Sequence, residues 1–254
     1  MLVDYSLLRQ QLIGQSIPKP ITGTLSGHAA GEPFDKLVYN TLKTLLPNQT
    51  FRQYEYLNDL YAKNPTTIGY DGRMMLFNSP SVLFLLSRGK NATDRWSPNN
   101  LFEEKQDDTA DILVVDNGFF EIIDIKTRNL AKTAQPPNII SAYKLAQLCS
   151  IMLDNQEFDN LSINYIEIDW ALQTDRLVCQ AAFHANLFKS NPQNLYINWA
   201  AGMQIQFHVC NLDQSFGGDN EQWAKSYLKH FVARVYQRSA YMIAKYAKPF
   251  EKYI

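Results

Sequence analysis

The chain has 254 residues, of which 46% are hydrophobic, 13% aromatic and 19% charged, and its formal net charge is −1. That is enough apolar material for a sizeable core, and it argues against a disordered chain. The near-neutral balance excludes a uniformly basic nucleic-acid binder, though a local basic face remains compatible with it.

Cys149, Cys179 and Cys210 lie far apart and lack CxxC spacing. They read as reduced, mostly buried thiols, not as a disulfide framework or a zinc site. No apolar run approaches the ~18 residues of a membrane span, and MLVDYSLLRQQLIGQ lacks the charged and apolar regions of a signal peptide. A cytoplasmic location without a membrane partner is expected.

Residues 1–14 carry the pattern of a short amphipathic helix. Residues 16–33 form a loop rich in Gly, Pro, Ser and Thr. A helix is expected from Glu32-Pro33, because proline suits the first turn and an acid suits the helix N-terminus. Phe34, Leu37, Val38, Leu42, Leu45 and Leu46 fall on one face of it, and Pro47 closes it. Residues 51–106 read as mainly helical, with breaks at Asn64-Pro65 and Ser97-Pro98.

Two apolar runs follow in TADILVVDNGFFEIIDIKTRN (109–129), joined at Asp-Asn-Gly. Pro136 and Pro137 then exclude helix from a loop over 129–138. Helix is expected over 139–155, strands over 161–172 and 176–188, and an alternating strand over 203–209. From about Asn220 a helix runs to the end with a basic stripe that includes Lys225, Lys229, Arg234 and Arg238. This order indicates an α/β (α+β) fold with a central mixed sheet flanked by helices, as one domain over 1–254.

The 109–129 hairpin carries the chemistry. Asn117-Gly118 favours a two-residue type I′ turn, which needs positive φ at both positions. Asp116 then pairs with Phe119, and the same register sets Asp111 opposite Asp124. Opposed residues share a face, with Cβ atoms roughly 4.5–5.5 Å apart. Lys126, two residues beyond Asp124, shares that face. Both faces are largely apolar, so two buried carboxylates facing each other would repel and lose hydration. A divalent cation held by both acids offsets this, and the lysine can stabilise charge on a phosphate or serve an attacking water. Lysine-capped strand ends and surface ion pairs produce the same short pattern.

Asp111…Asp124-Ile125-Lys126 resembles the catalytic core of PD-(D/E)xK nucleases, with Ala110 where that pattern usually has proline. Longer stretches resemble the HincII kind of type II restriction endonuclease. They include GTLSGHAAGEPFDKLVY (23–39), LFEEKQDDTADIL (101–113), PNIISAYKLAQ (137–147) and LYINWAAGMQIQFHV (195–209). The resemblance implies a restriction-endonuclease-like core in which the DNA-binding and catalytic subregions are intermixed. It implies a homodimer that cuts double-stranded DNA at the palindrome 5′-GTYRAC-3′, leaves blunt ends and requires Mg2+. A companion DNA methyltransferase is expected with it. The two-fold symmetry of such a site matches a C2 dimer.

The same resemblance assigns catalysis to Asp111, Asp124 and Lys126, with the two acids holding the metal. It assigns DNA contacts to Gln135 and Asn138 in the loop, to Tyr196 and Asn198, and to Lys90 and His28. Amide side chains donate and accept at once, which suits base edges. Pro136 departs from the small residue that the resemblance implies between the glutamine and the following proline. Glu32 reads as a helix-start acid, with a place in the acid cluster as the alternative. His208 and Cys210 read as strand packing. The residues alone leave two other functions open: a DNA-binding protein that does not cut, and a PD-(D/E)xK nuclease acting on branched or damaged DNA.

Overall fold

The computed structural model describes residues 2–19, 28–63, 79–86, 109–133 and 135–254. A six-stranded sheet forms its centre. It is built from β1 (Ser16–Pro18), β2 (Thr50–Phe51), β3 (Ile112–Asp116), β4 (Phe119–Asn129), β6 (Leu161–Gln173) and β7 (Arg176–Asn186), in the order β1-β7-β6-β4-β3-β2. All its pairings are antiparallel except β4 with β6. A parallel pair needs a long crossover. Here β5 (Asn138–Ser141) and the helix Ala142–Asn155 supply it. A second sheet of three strands runs β5-β9-β8, with β8 at Ile197–Asn198 and β9 at Gln204–Gln206.

The helices are α1 (Tyr5–Leu12), α2 (His28–Leu45), α3 (Gln53–Lys63), α4 (Pro80–Leu86), α5 (Ala142–Asn155) and α6 (Asn220–Met242). Caps fix several ends. Asp4 accepts from the Leu7 N–H, Ser141 accepts from Lys144, and Asp219 with Gln222 forms a capping box. Each cap satisfies a backbone donor that the helix leaves unpaired.

The two faces of the β3–β4 hairpin enter different cores. Leu113, Phe120 and Ile122 join Ile163, Tyr165 and residues of α4, α5 and α6. Ile112, Val114, Ile123 and Ile125 join Ile166, Ile168, Trp170 and the helices α1 and α2. Glu121 points into this second side. It is fully buried, and its carboxylate accepts from the Leu2 and Val3 N–H groups and from the Tyr5 hydroxyl. Burial raises its pKa, and these donors oppose the shift.

Several expected boundaries moved. Helix α2 begins at His28, so Pro33 lies within it. Proline removes one backbone donor, a loss that an 18-residue helix absorbs near its start. Glu32 is therefore no helix-start acid. It pairs with Lys36 one turn on, at the surface. Residues 139–141 are strand instead of helix: Ile140 and Ser141 pair with β9, with a register shift at β-branched Ile139, behind two prolines. The strand expected over 203–209 shortens to β9, because Met203 takes a positive φ of 59° and a 3-10 turn begins after His208. Helix α6 gives way after Met242 to a wide turn and then a 3-10 segment to Tyr253. Most of 64–106 lies outside the described residues. The cysteines are free, as expected. No helix among the described residues is long and apolar enough to cross a membrane.

Candidate active site and polar face

The hairpin register is the one the turn residues dictate. Asn117 and Gly118 have φ of 48° and 80°. Asp116 pairs with Phe119, and the register runs without a slip to Ile112 opposite Ile123. The next step sets Asp111 opposite Asp124. Asp111 Oδ2 accepts from the Ile125 N–H at 2.7 Å, which holds its carboxyl against β4.

Residues from the helical region fix the entry to this strand. Arg52 is buried and donates to the Asp111 carbonyl at 3.0 Å while pairing with Asp35 at 2.7 Å. The buried Gln53 accepts from the Ala110 N–H at 3.1 Å. A proline at 110 has no such donor, so the departure from the usual motif has a local structural use.

Lys126 lies beside Asp124, its Nζ 2.8 Å from the carboxylate. Both side chains are mostly enclosed, 20% and 15% exposed. Burial drives the Asp124 carboxyl up to about 8; Lys126 opposes the shift, and the charge and hydrogen bonding of Asp111 add to it. Burial works against the Lys126 ammonium, but Asp124 and Asp111 outweigh it and its pKa rises.

This is a local excess of acid with hard oxygen donors, which suits a magnesium ion. Asp111 and Asp124 are the residues that would hold it. No group of three or more His, Cys, Asp or Glu side chains able to hold a metal occurs among the described residues. The remaining coordination would fall to water and phosphate oxygens.

The charged row continues along the same face. The parallel register places Tyr165, Glu167 and Asp169 beside Asp124, Lys126 and Arg128. Arg128 forms a forked pair with Asp169, with Nε–Oδ1 at 2.8 Å and a second contact from Nη2. Glu167 accepts from His208 Nδ1 at 2.7 Å and from the Val209 N–H at 2.6 Å. His208 thus serves a buried acid. Residue spacing in one dimension carried no signal for this pair.

The three-stranded sheet has one apolar face and one polar face. Ile139, Ile140, Ile197 and Ile205 are buried in the core. Asn138 pairs with Gln206, Asn198 with Gln204, and the Gln206 N–H reaches the Tyr196 carbonyl. Opposed residues share a face, so Tyr196, Asn198, Gln204, Gln206 and Asn138 stand together. Tyr196 is 62% exposed. Of the expected DNA contacts, Asn138, Tyr196 and Asn198 meet on this surface. Gln135 is exposed in the preceding loop. His28 opens α2, and only its backbone position is described; Lys90 lies outside the described residues. Gln206 was visible in the sequence only as one polar position of an alternating strand.

Helices packed on both faces of a mixed sheet place the molecule in the restriction-endonuclease class of folds. Residues 8–254 match the family described as Restriction endonuclease HincII. The chain is 62% identical over 250 residues to the type II restriction enzyme HindII of Haemophilus influenzae strain Rd, covering 98% of this chain and 97% of that protein. The same identity and coverage relate it to the type II restriction enzyme HincII of Haemophilus influenzae. The chain belongs to the HincII restriction endonuclease family.

Proposed function

We propose that this protein is a Mg2+-dependent endonuclease that cuts double-stranded DNA at 5′-GTYRAC-3′ and leaves blunt ends. The observation that carries the chemistry is the hairpin register, which brings Asp111 and Asp124 together with Lys126 against Asp124. Family membership carries the substrate class.

A bound Mg2+ supplies a Lewis acid for the phosphodiester and neutralises charge as it develops. Asp111 and Asp124 hold and orient the site. Lys126 leaves its ion pair with Asp124 to face the phosphate or the attacking water, where it stabilises negative charge or moves a proton. The enclosed setting strengthens each of these interactions. Gln135, Asn138, Tyr196 and Asn198 form the DNA-facing surface beside this centre, with His28 and Lys90 assigned to the backbone. Reading and cutting therefore share one domain in this proposal.

The working unit is a homodimer. The segment 232–254 stands exposed, with Tyr236, Tyr241, Tyr246, Phe250 and Tyr253 between 46% and 74% accessible. At about 150–250 Å² per aromatic side chain, these five offer on the order of 600 Å². A stable dimer buries about 800 Å² per partner. A cytoplasmic setting and a cognate DNA methyltransferase complete the reading, since a cutting enzyme needs its host sites protected.

Incubation with plasmid DNA and Mg2+ tests it. Discrete blunt fragments ending at GTYRAC halves are expected, and Asp124→Ala is expected to bind DNA without cutting it. A smear, or fragments with other termini, refutes the assigned specificity. Binding without cutting by the unmodified protein identifies a DNA-binding protein instead.

A further inference from the structure

One chain of amides crosses the polar face of the small sheet. It begins at backbone. The N–H groups of Ala200 and Ala201 donate to Asn198 Oδ1 at 3.0 and 3.2 Å. Amide oxygen and nitrogen are assigned from their partners, and two N–H donors can face only the oxygen. The Asn198 amide is therefore fixed in sign. Its Nδ2 faces Gln206 Oε1 at 2.9 Å. Gln206 has one side-chain oxygen, so its Nε2 is turned the other way. It donates to Asn138 Oδ1 at 2.8 Å. Asn138 is exposed, and its Nδ2 makes no hydrogen bond among the described residues.

Each amide is thus oriented by the one before it. Reversing any one of them would set oxygen against oxygen or hydrogen against hydrogen. The turn at 199–201 in this way sets the hydrogen-bonding sign of a residue on another strand. Asn198 spends its oxygen on the cap and a nitrogen on Gln206, so it acts chiefly as the anchor of the chain.

We infer that Gln206 is a positioning residue for specificity, holding Asn138 with its amide hydrogens outward to meet an acceptor on a base edge. The acceptors of that kind in the major groove are purine N7, guanine O6 and thymine O4. The inference rests on the DNA-reading role proposed above for Asn138.

Gln206→Glu tests the sign directly. A carboxylate accepts twice and donates nothing. Asn198 keeps its partner, whereas Asn138 must turn its hydrogens inward and its oxygen outward. Cleavage is measured on site-bearing duplexes from which one acceptor at a time is deleted. Suitable bases are 7-deazapurines for N7, 2-aminopurine for guanine O6 and 5-methyl-2-pyrimidinone for thymine O4. The unmodified protein is expected to lose tenfold or more in rate at one deleted acceptor, the scale of one base-edge contact. The Q206E protein is expected to cut the intact site at least tenfold more slowly and to lose nothing further at that acceptor. Gln206→Met breaks the chain without reversing it and is expected to show a smaller loss, with sensitivity to the deletion retained in part.

Equal rates for Q206E and the unmodified protein overturn the inference, and so does a loss in Q206E that leaves the acceptor dependence intact. Should Q206E fail to fold, Q206M decides: unchanged discrimination there refutes the role. Side-chain amide exchange measured by NMR without DNA supplies the separate readout. A slowly exchanging Gln206 NH2 beside a fast Asn138 NH2 supports the chain of amides, and the reverse refutes it. A protein with that pattern that neither binds nor cuts DNA would overturn the proposed function while the amide chain stood.

Discussion

The Lys126 ammonium lies 2.8 Å from each oxygen of the Asp124 carboxylate. In the absence of metal it supplies the positive charge that the paired acids demand. It does so incompletely, because burial still holds the Asp124 carboxyl at about 8. Metal binding must therefore displace a proton over the neutral range. Mg2+ affinity is expected to rise from pH 6 to pH 8 and to level off above, with close to one proton released per ion at pH 7. Titration calorimetry in buffers of different ionisation enthalpy measures both. An affinity that does not change between pH 6 and pH 9 would sink this account of the site.

The turn that sets the register is equally open to test. Gly118 has a φ of 80°, and a Cβ placed there meets nothing within 4 Å. The cost of a side chain is then conformational instead of steric crowding. Gly118→Val is expected to destabilise the protein by about 1–2 kcal/mol. The turn also aligns Asp111 with Asp124, so cleavage should fall more than the loss of folded protein explains. Denaturant unfolding and single-turnover cleavage, measured on the same samples, separate the two effects. A variant with unchanged stability would show that the hairpin does not depend on this turn.

The hairpin was legible because its information is local. Asn117-Gly118 dictates the turn, the turn dictates the register, and the period of two dictates the face. The two cores above and below the sheet follow from the same alternation. What escaped was set by distant partners. Ile139 and Ile140 look helical beside LAQLCSIM and become strand only because β9 lies next to them. Glu121 looks like an error in an apolar strand until the N-terminal amides reach it. Gln206 has no meaning as a residue type, and its role arises from neighbours 8 and 68 residues away in sequence. His28 is the first residue of α2, where loop is expected from the Gly- and Pro-rich sequence before it.

Ala110 in place of the motif proline makes a further test. Its N–H donates to Gln53 Oε1, and the same glutamine donates to the Leu86 carbonyl at 3.2 Å. Ala110→Pro removes the donor in a buried setting, where losing one partner costs about 1–3 kcal/mol. A lower unfolding midpoint is expected. In a Gln53→Leu background the same change should cost less, because the bond is already gone. Additive losses in the double variant would show that the bond contributes nothing, and a gain in stability from Ala110→Pro alone would reverse the argument.

Tyr5 stacks on His184 with ring centroids 3.6 Å apart and planes 8° from parallel. Burial, with Arg9 nearby, lowers the His184 pKa to about 4. Its Nε2 meets Asn164 Oδ1 at 3.0 Å, so the neutral ring carries its hydrogen there. In the unfolded chain the ring titrates near the ordinary value of about 6.5. Between those two values the unfolded state binds more protons, so stability falls as the pH falls from 6.5 towards 4. The total for this group is up to about 3 kcal/mol. His184→Gln keeps a donor for Asn164 and does not titrate. The stability gap between the unmodified protein and this variant is expected to shrink steadily over that range. Glu121 faces the same helix through Tyr5, but it is common to both proteins and cancels in the difference. Urea unfolding at half-unit pH steps measures the gap, and a constant gap would show that the ring titrates alike in both states.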